Sequence, residues 1–183
     1  MKIGEITILI NDFTEINSKI ITYIAQNVRR VNIVTNHINK FKRLEEHLYN
    51  ELGIILNISN NKEKSLLNAK LIINMDFPEE TINQYEICSN AIIISILNEI
   101  KIKAKKFNGI NANYYKAYIP KKYKVEGFAE YIIYESIIYK YNYEKARNDI
   151  ISNKISIRKL IGNNGEISEN EFCKNLKYNT WQN

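Results

Sequence analysis

Two rhythms of apolar residues alternate along the first hundred positions. Unbroken or nearly unbroken runs of Ile, Leu and Val occur at Glu5–Ile10, Val31–Thr35, Ile54–Ile58, Leu71–Met75 and Ala91–Ile96. Several show no polar alternation, as strands buried on both faces do, and this predicts a parallel sheet. Between the runs, Ile16, Ile20, Ile21, Ile24 and Val28 recur at helical spacing, as do Phe41, Leu44, Leu48 and Leu52, with Lys42, Arg43, Glu45 and Glu46 on the opposite face. Gly53 stops the second helix before the next strand. The third connection, Asn61–Asn68, is short. Strands and helices alternating through short loops require right-handed crossovers, so the expected fold class is α/β with a doubly wound, mostly parallel sheet.

The second half changes character. Ile100–Phe107 reads as a basic amphipathic piece, and Asn111–Ile119 adds a sixth strand before Pro120. From Gly127 a long helix is expected, with Phe128, Tyr131, Ile132, Glu135, Ile138 and Tyr139 near one face; Glu135 among those rings is either exposed at the rim or a deliberate polar contact. Gly162-Asn-Asn-Gly165 is a turn, and Ser168 three residues ahead of Glu171 forms a capping box that opens a last short helix, docked by Trp181. The expected division is an α/β domain over 1–126 and a helical C-terminal extension over 127–183 that packs on it.

Composition narrows the function classes. A chain of 183 residues makes one domain or one domain with an appendage. Its formal charge of +6 is spread largely as single lysines, so nucleic acid is not the expected partner. Tyr114, Tyr115, Lys116, Tyr118, Lys121, Lys122 and Tyr123 do interleave rings and cations as a single-strand stacking platform would. The favoured reading places these rings on a sheet edge or dimer surface with their hydroxyls wet, and the Gly127–Tyr143 helix at a homodimer contact. Cys88 and Cys173 lack paired spacing and are expected to be reduced packing residues in a cytoplasmic protein. No window approaches a membrane span, and the N-terminus lacks a basic-then-apolar signal. Abundant Ile, Asn and Lys resemble AT-rich bacterial coding. The only histidines are His37 and His47, and without an acidic cluster at ligand spacing or a nucleophile elbow, neither a metal site nor hydrolysis is expected.

Candidate chemistry gathers where the strands end. The first strand runs into Asn11-Asp12-Phe13-Thr14-Glu15, the place where a dinucleotide-binding unit carries G-x-G-x-x-G, yet there is no glycine between Gly4 and Gly53. Two carboxylates stand there instead. Negative charge beside a helix N-terminus suits the helix dipole but repels phosphate. Asp12 and Glu15 are placed to meet a metal, an amine or a ribose; alternatively, Asp12 or Thr14 simply caps the helix.

Further along, Ala69-Lys-Leu-Ile-Ile-Asn74-Met-Asp76-Phe-Pro78 is similar to the A-D-I-V-I-N-A-T-P signature of shikimate dehydrogenases. The whole stretch from Val31 to Glu80 resembles the second half of their NAD(P) domain and, less closely, that of glutamyl-tRNA reductases. Asn74 matches the family's Asn, and Asp76 stands where the family has Thr. Thr35, Asn36 and His37 fall on the turn that selects the adenosine ribose. Asn36 replaces the Arg that would hold a 2′-phosphate, with Lys40, Lys42 or Arg43 as substitutes. The resemblance covers roughly half the chain and implies a Rossmann-like fold without the family's glycine-rich loop or catalytic domain. It implies cofactor-binding positions at Asn11, Asp12, Thr14, Thr35, Asn36, His37, Asn74, Asp76 and Phe77, with catalytic residues unassigned. The expected cofactor is none, or weakly held NAD(P). The expected function is a non-catalytic or regulatory module for a small molecule or protein; the alternatives are an NAD(P)-dependent oxidoreductase with unconventional cofactor binding, and a nucleic-acid-binding protein.

Overall fold

A computed structural model of the chain describes residues 3–96, 99–138 and 143–180. Its eight strands form one sheet in the order β3-β2-β1-β4-β5-β6-β7-β8. They are β1 (Ile3–Leu9), β2 (Val28–Val34), β3 (Leu56–Ser59), β4 (Leu71–Asn74), β5 (Ile92–Ser95), β6 (Ile110–Tyr118), β7 (Ser156–Gly162) and β8 (Gly165–Ile167). All neighbours from β3 to β6 pair in parallel, while β7 and β8 run antiparallel. The chain steps outward from β1 to β3, then returns past β1 to β4, so the winding direction reverses between β1 and β4. Such a reversal opens a crevice at the strand C-termini.

The helices form where the periodicity places them, except that Val28, at the end of the first helical set, is extended and opens β2. α1 (Glu15–Asn27) opens at Thr14, whose hydroxyl accepts the Asn17 N–H at 3.1 Å, and buries Ile21 and Ala25. α2 (Ile38–Leu52) buries Phe41, Leu44 and Leu48, and its left-handed cap is Gly53, at φ 65°, whose N–H reaches the carbonyls of Leu48 and Tyr49. These helices cover the face carrying Ile6, Ile8, Ile10, Val31, Ile33 and Leu56. On the other face, Leu9, Val34, Ile72 and Ile93 pack with Leu66 of α3 (Lys62–Asn68), Phe77 and Ile82 of α4 (Glu79–Ile82). Consecutive residues Ile8, Leu9 and Ile10 are thus all fully buried. Each such side chain contributes about 1.5–3 kcal/mol of burial, which explains why the strands read as continuous apolar runs.

β6 is longer than β5 and continues into a different environment. Its far end, with Ala117 and Ile119, forms a third cluster with Ile133 and Ile137 of α5 (Glu130–Ile138), Ala146 of α6 (Tyr143–Ile151) and Ile155. The segment expected to be a helical extension also contains a hairpin. β7 and β8 are joined through Asn163-Asn164; β7 pairs with the open edge of β6 and β8 with β7, continuing the sheet. Ile100–Phe107 forms no helix, because the backbone N–H and C=O of Ile100 are taken by the Asn113 side chain at 3.1 and 3.0 Å. The long helix expected from Gly127 is described as α5 and α6; Tyr139 and Trp181 lie outside the described residues. α7 (Glu169–Thr180) does open on the predicted cap, with Ser168 Oγ accepting the Glu171 N–H at 3.1 Å, and Phe172 packs on the first cluster. Among the described residues no helix is long and apolar enough to cross a membrane.

Candidate functional site

The loops after β1, β2 and β4 meet at the C-terminal edge of the sheet, and hydrogen bonds tie them into one unit. Asn11 N–H donates to both oxygens of Asp76, at 2.8 and 2.9 Å, and Asp12 N–H donates to Oδ2 at 2.7 Å. Asn11 Oδ1 accepts the Asn36 N–H at 2.9 Å, joining the second loop to the first. Lys62, from the start of α3, donates to Asn36 Oδ1. Residues from four connections therefore surround the point where the winding reverses.

The nine positions singled out in the sequence divide by burial. Asn74, only 2 % exposed, uses its amide as a clamp: Nδ2 donates to the Phe77 carbonyl at 3.0 Å and Oδ1 accepts the Phe77 N–H at 2.9 Å. The Phe77 ring is fully buried in the second core cluster, so it supports the crevice from beneath and is not a contact surface. Thr35 is also fully buried, with its hydroxyl accepting the His37 N–H at 3.0 Å. Thr14 spends its hydroxyl on the α1 cap. Asp12, Asn36 and His37 are exposed, and Asn11 and Asp76 are half-buried. Those five side chains, with the exposed Thr14, make the accessible surface of the nine positions. Glu15 turns away to Lys19 at 2.6 Å, and that hydrogen bond holds its carboxyl below the usual range.

Two residues escaped the sequence reading. Lys62 reaches the site only because Asn61 caps the short α3 and sets its first turn beside Asn36. Ser95, in register with Asn74 at the end of β5, is 5 % exposed, and its hydroxyl has no partner among the described residues. Its position at a strand C-terminus was the available signal. Elsewhere, an open trough of about 1190 Å³ lies over the other end of β1–β3 beside α3. Its floor is a cross-strand ladder in which Asn57 bonds Asn32 at 3.0 Å, and Asn32 and Arg30 both bond Glu5. Those groups satisfy one another.

The tyrosine-rich half spends its polar groups internally in the same way. Tyr114 hydroxyl bonds Glu99 at 2.8 Å, and Tyr115 hydroxyl bonds Glu135 at 2.7 Å, so Glu135 is both exposed and a polar contact. Burial, followed by that carboxylate, pushes the Tyr115 hydroxyl pKa upward. Lys116 and Lys159 share Glu166, and Arg158 lies 5.3 Å from the Tyr118 ring centre. Asp149, held below the usual carboxylate range by Lys122 and Tyr123, joins α6 to the turn after β6. Among the described residues no group of three His, Cys, Asp or Glu is placed to hold a metal ion.

Fold and crevice together define the class: an α/β protein with a doubly wound, mostly parallel sheet and polar loops converging at its C-terminal edge. No protein-family model, curated protein or solved structure matches the chain.

Proposed function

We propose that the chain is a non-catalytic, regulatory module that binds a small molecule at this crevice. The observation that carries the reading is the convergence of the loops after β1, β2 and β4 on the Asp76–Asn11–Asn36 network, with Asp12, Asn36 and His37 facing solvent around it. A rigid hydrogen-bonded floor with exposed polar side chains at a topological switch point is the arrangement by which open α/β sheets hold ligands. The carboxylates of Asp12 and Asp76 favour a hydroxyl-bearing or cationic ligand over a phosphorylated one.

NAD(P) is expected to bind at best in the millimolar range, about −4 kcal/mol. A thermal-shift screen with NAD, NADP, nucleosides, hydroxy acids, polyols and polyamines tests the reading, because a ligand of the native state raises apparent stability by mass action. Stabilisation by a polyol, hydroxy acid or amine that is lost in Asp12→Asn and His37→Ala supports the module. Micromolar NADP binding by calorimetry removes it in favour of an oxidoreductase. A homodimer belongs to the same proposal, since α5 and its approach leave Phe128, Tyr131, Ile132 and Ile138 exposed; a monomer by light scattering at high concentration would count against it.

A further inference from the structure

The turn after β1 already holds an anion, and the chain itself supplies it. In dinucleotide-binding members of the doubly wound class, a pyrophosphate lies beside this turn, at the N-terminus of the helix that follows. Here the N–H groups of Asn11 and Asp12 are bound by the Asp76 carboxylate at 2.7–2.9 Å. We infer that Asp76 is the specificity-determining residue of the crevice, an internal anion that takes the N–H groups leading into α1 and excludes phosphoryl groups. The inference rests on reading the crevice as the ligand site.

Three features make the carboxylate hard to displace. It engages one N–H with both oxygens and a second N–H with one of them, and ionised acceptors form the stronger class of hydrogen bond. Its segment is also fixed from both sides. Met75 N–H donates to the Leu9 carbonyl at 3.0 Å, Asn74 clamps the Phe77 backbone, and the Phe77 ring is buried. A tethered anion competes with a free one at high effective concentration.

Charge provides the third feature. An incoming phosphoryl group would meet Asp12 in the same loop, while Lys19 is engaged by Glu15 and Lys62 by Asn36. The ligand admitted is therefore one that approaches Asp76 as a hydroxyl donor or a cation, using the acceptor capacity that the two N–H groups leave on the carboxylate.

Inorganic pyrophosphate is the probe, titrated by calorimetry and by amide NMR into the full chain, Asp76→Ala, the near-isosteric Asp76→Asn, and Asp12→Asn as a comparison. The unsubstituted chain should show no saturable binding and no shift of the Asn11 and Asp12 amides. Asp76→Ala should gain affinity roughly tenfold or more over it, with those two amides shifting, and Asp76→Asn should gain less. Asp12→Asn alone should change little, because the internal anion remains. The inference is overturned if the folded Asp76 variants bind pyrophosphate no better than the parent, or if the parent binds it through the Asn11 and Asp12 amides. It is equally overturned if neither Asp76 variant folds, which would assign Asp76 to the structure of the turn. An unsubstituted chain that binds nothing in the small-molecule screen would remove the module reading and, with it, the role of Asp76 in choosing a ligand, even where the Asp76 variants gain pyrophosphate.

Discussion

The sheet from β1 to β5 and the sheet from β6 to β8 bury their side chains by different rules. In the first region the centres of the strands are covered on both faces, and Ile8, Leu9, Ile33, Val34, Ile72, Ile92 and Ile93 are all fully buried. The polar groups carried along β1–β3 pair in the Glu5–Arg30–Asn32–Asn57 ladder, and those of the loops gather at the strand C-termini, where the crevice lies. In the second, Tyr114, Lys116 and Tyr118 point to solvent while Ala117 and Ile119 face α5 and α6. Polar groups there lie along the strands and pair with one another. The first region therefore concentrates unused polarity at one edge, and the second neutralises its polarity in place.

The comparison breaks most sharply under core truncation. Phe41→Ala should cost about 3–5 kcal/mol and unfold the whole chain earlier in urea, because the ring is fully buried against the β1–β3 face. Ile137→Ala, in the third cluster, should cost about 2–4 kcal/mol but act locally. Hydrogen exchange should then show α5 and α6 opening with the β1–β5 amides still protected. Equal loss of protection in both regions would show a single cooperative unit.

The joint between the regions comes next. Gly109 precedes β6 so closely packed that an added Cβ would lie 2.0 Å from the Ala91 carbonyl oxygen, the acceptor of the Ile110 N–H. Gly109→Ala should cost about 3 kcal/mol and loosen β6 from β5. Full stability in the variant would mean that the β5–β6 register is not what couples the regions.

Within the crevice the effects are smaller. Asp76→Ala loses charge-assisted bonds at a half-exposed site where water replaces the carboxylate, so about 1–2 kcal/mol is expected, a fall in Tm of roughly 2–6 °C. Ser95→Ala removes a buried hydroxyl without a partner among the described residues and should be neutral or stabilising by up to about 1 kcal/mol. A loss above that in Ser95→Ala would reveal a hydrogen bond at the end of β5.

How far the sequence disclosed each region follows from the same contrast. Strands buried on both faces write themselves as apolar runs, so β1, β2, β4 and β5 were legible to within a few residues. β7, Ser-Ile-Arg-Lys-Leu-Ile-Gly, is half-exposed and mixes charge with aliphatics, and its two-residue Asn163-Asn164 loop reads in the sequence as a turn before a helix. The crevice was legible as an address, because strand C-termini mark it in any doubly wound sheet. Its wiring was not. Asp76 and its donors lie 64 and 65 residues apart in the chain, and no local spacing records that pairing.

The smallest effect tests whether the second region really neutralises its own charge. Glu166 receives both Lys116 and Lys159, and their hydrogen bonds lower its pKa from 4.5 to about 2. A depressed carboxylate contributes stability that is present above its unfolded value and is lost as pH falls through its folded value. The hairpin should therefore weaken between about pH 4.5 and pH 2, and Glu166→Gln should lose that acid dependence. The group is solvent-exposed, so the change should be slight and should shrink further in added salt. The same substitution releases two lysines beside Tyr114 and Tyr118. It should raise salt-sensitive affinity for a single-stranded oligonucleotide above that of the parent chain. If the parent already binds the oligonucleotide as tightly as Glu166→Gln does, the tyrosine-rich face is not self-neutralised, and the nucleic-acid reading gains what the crevice loses.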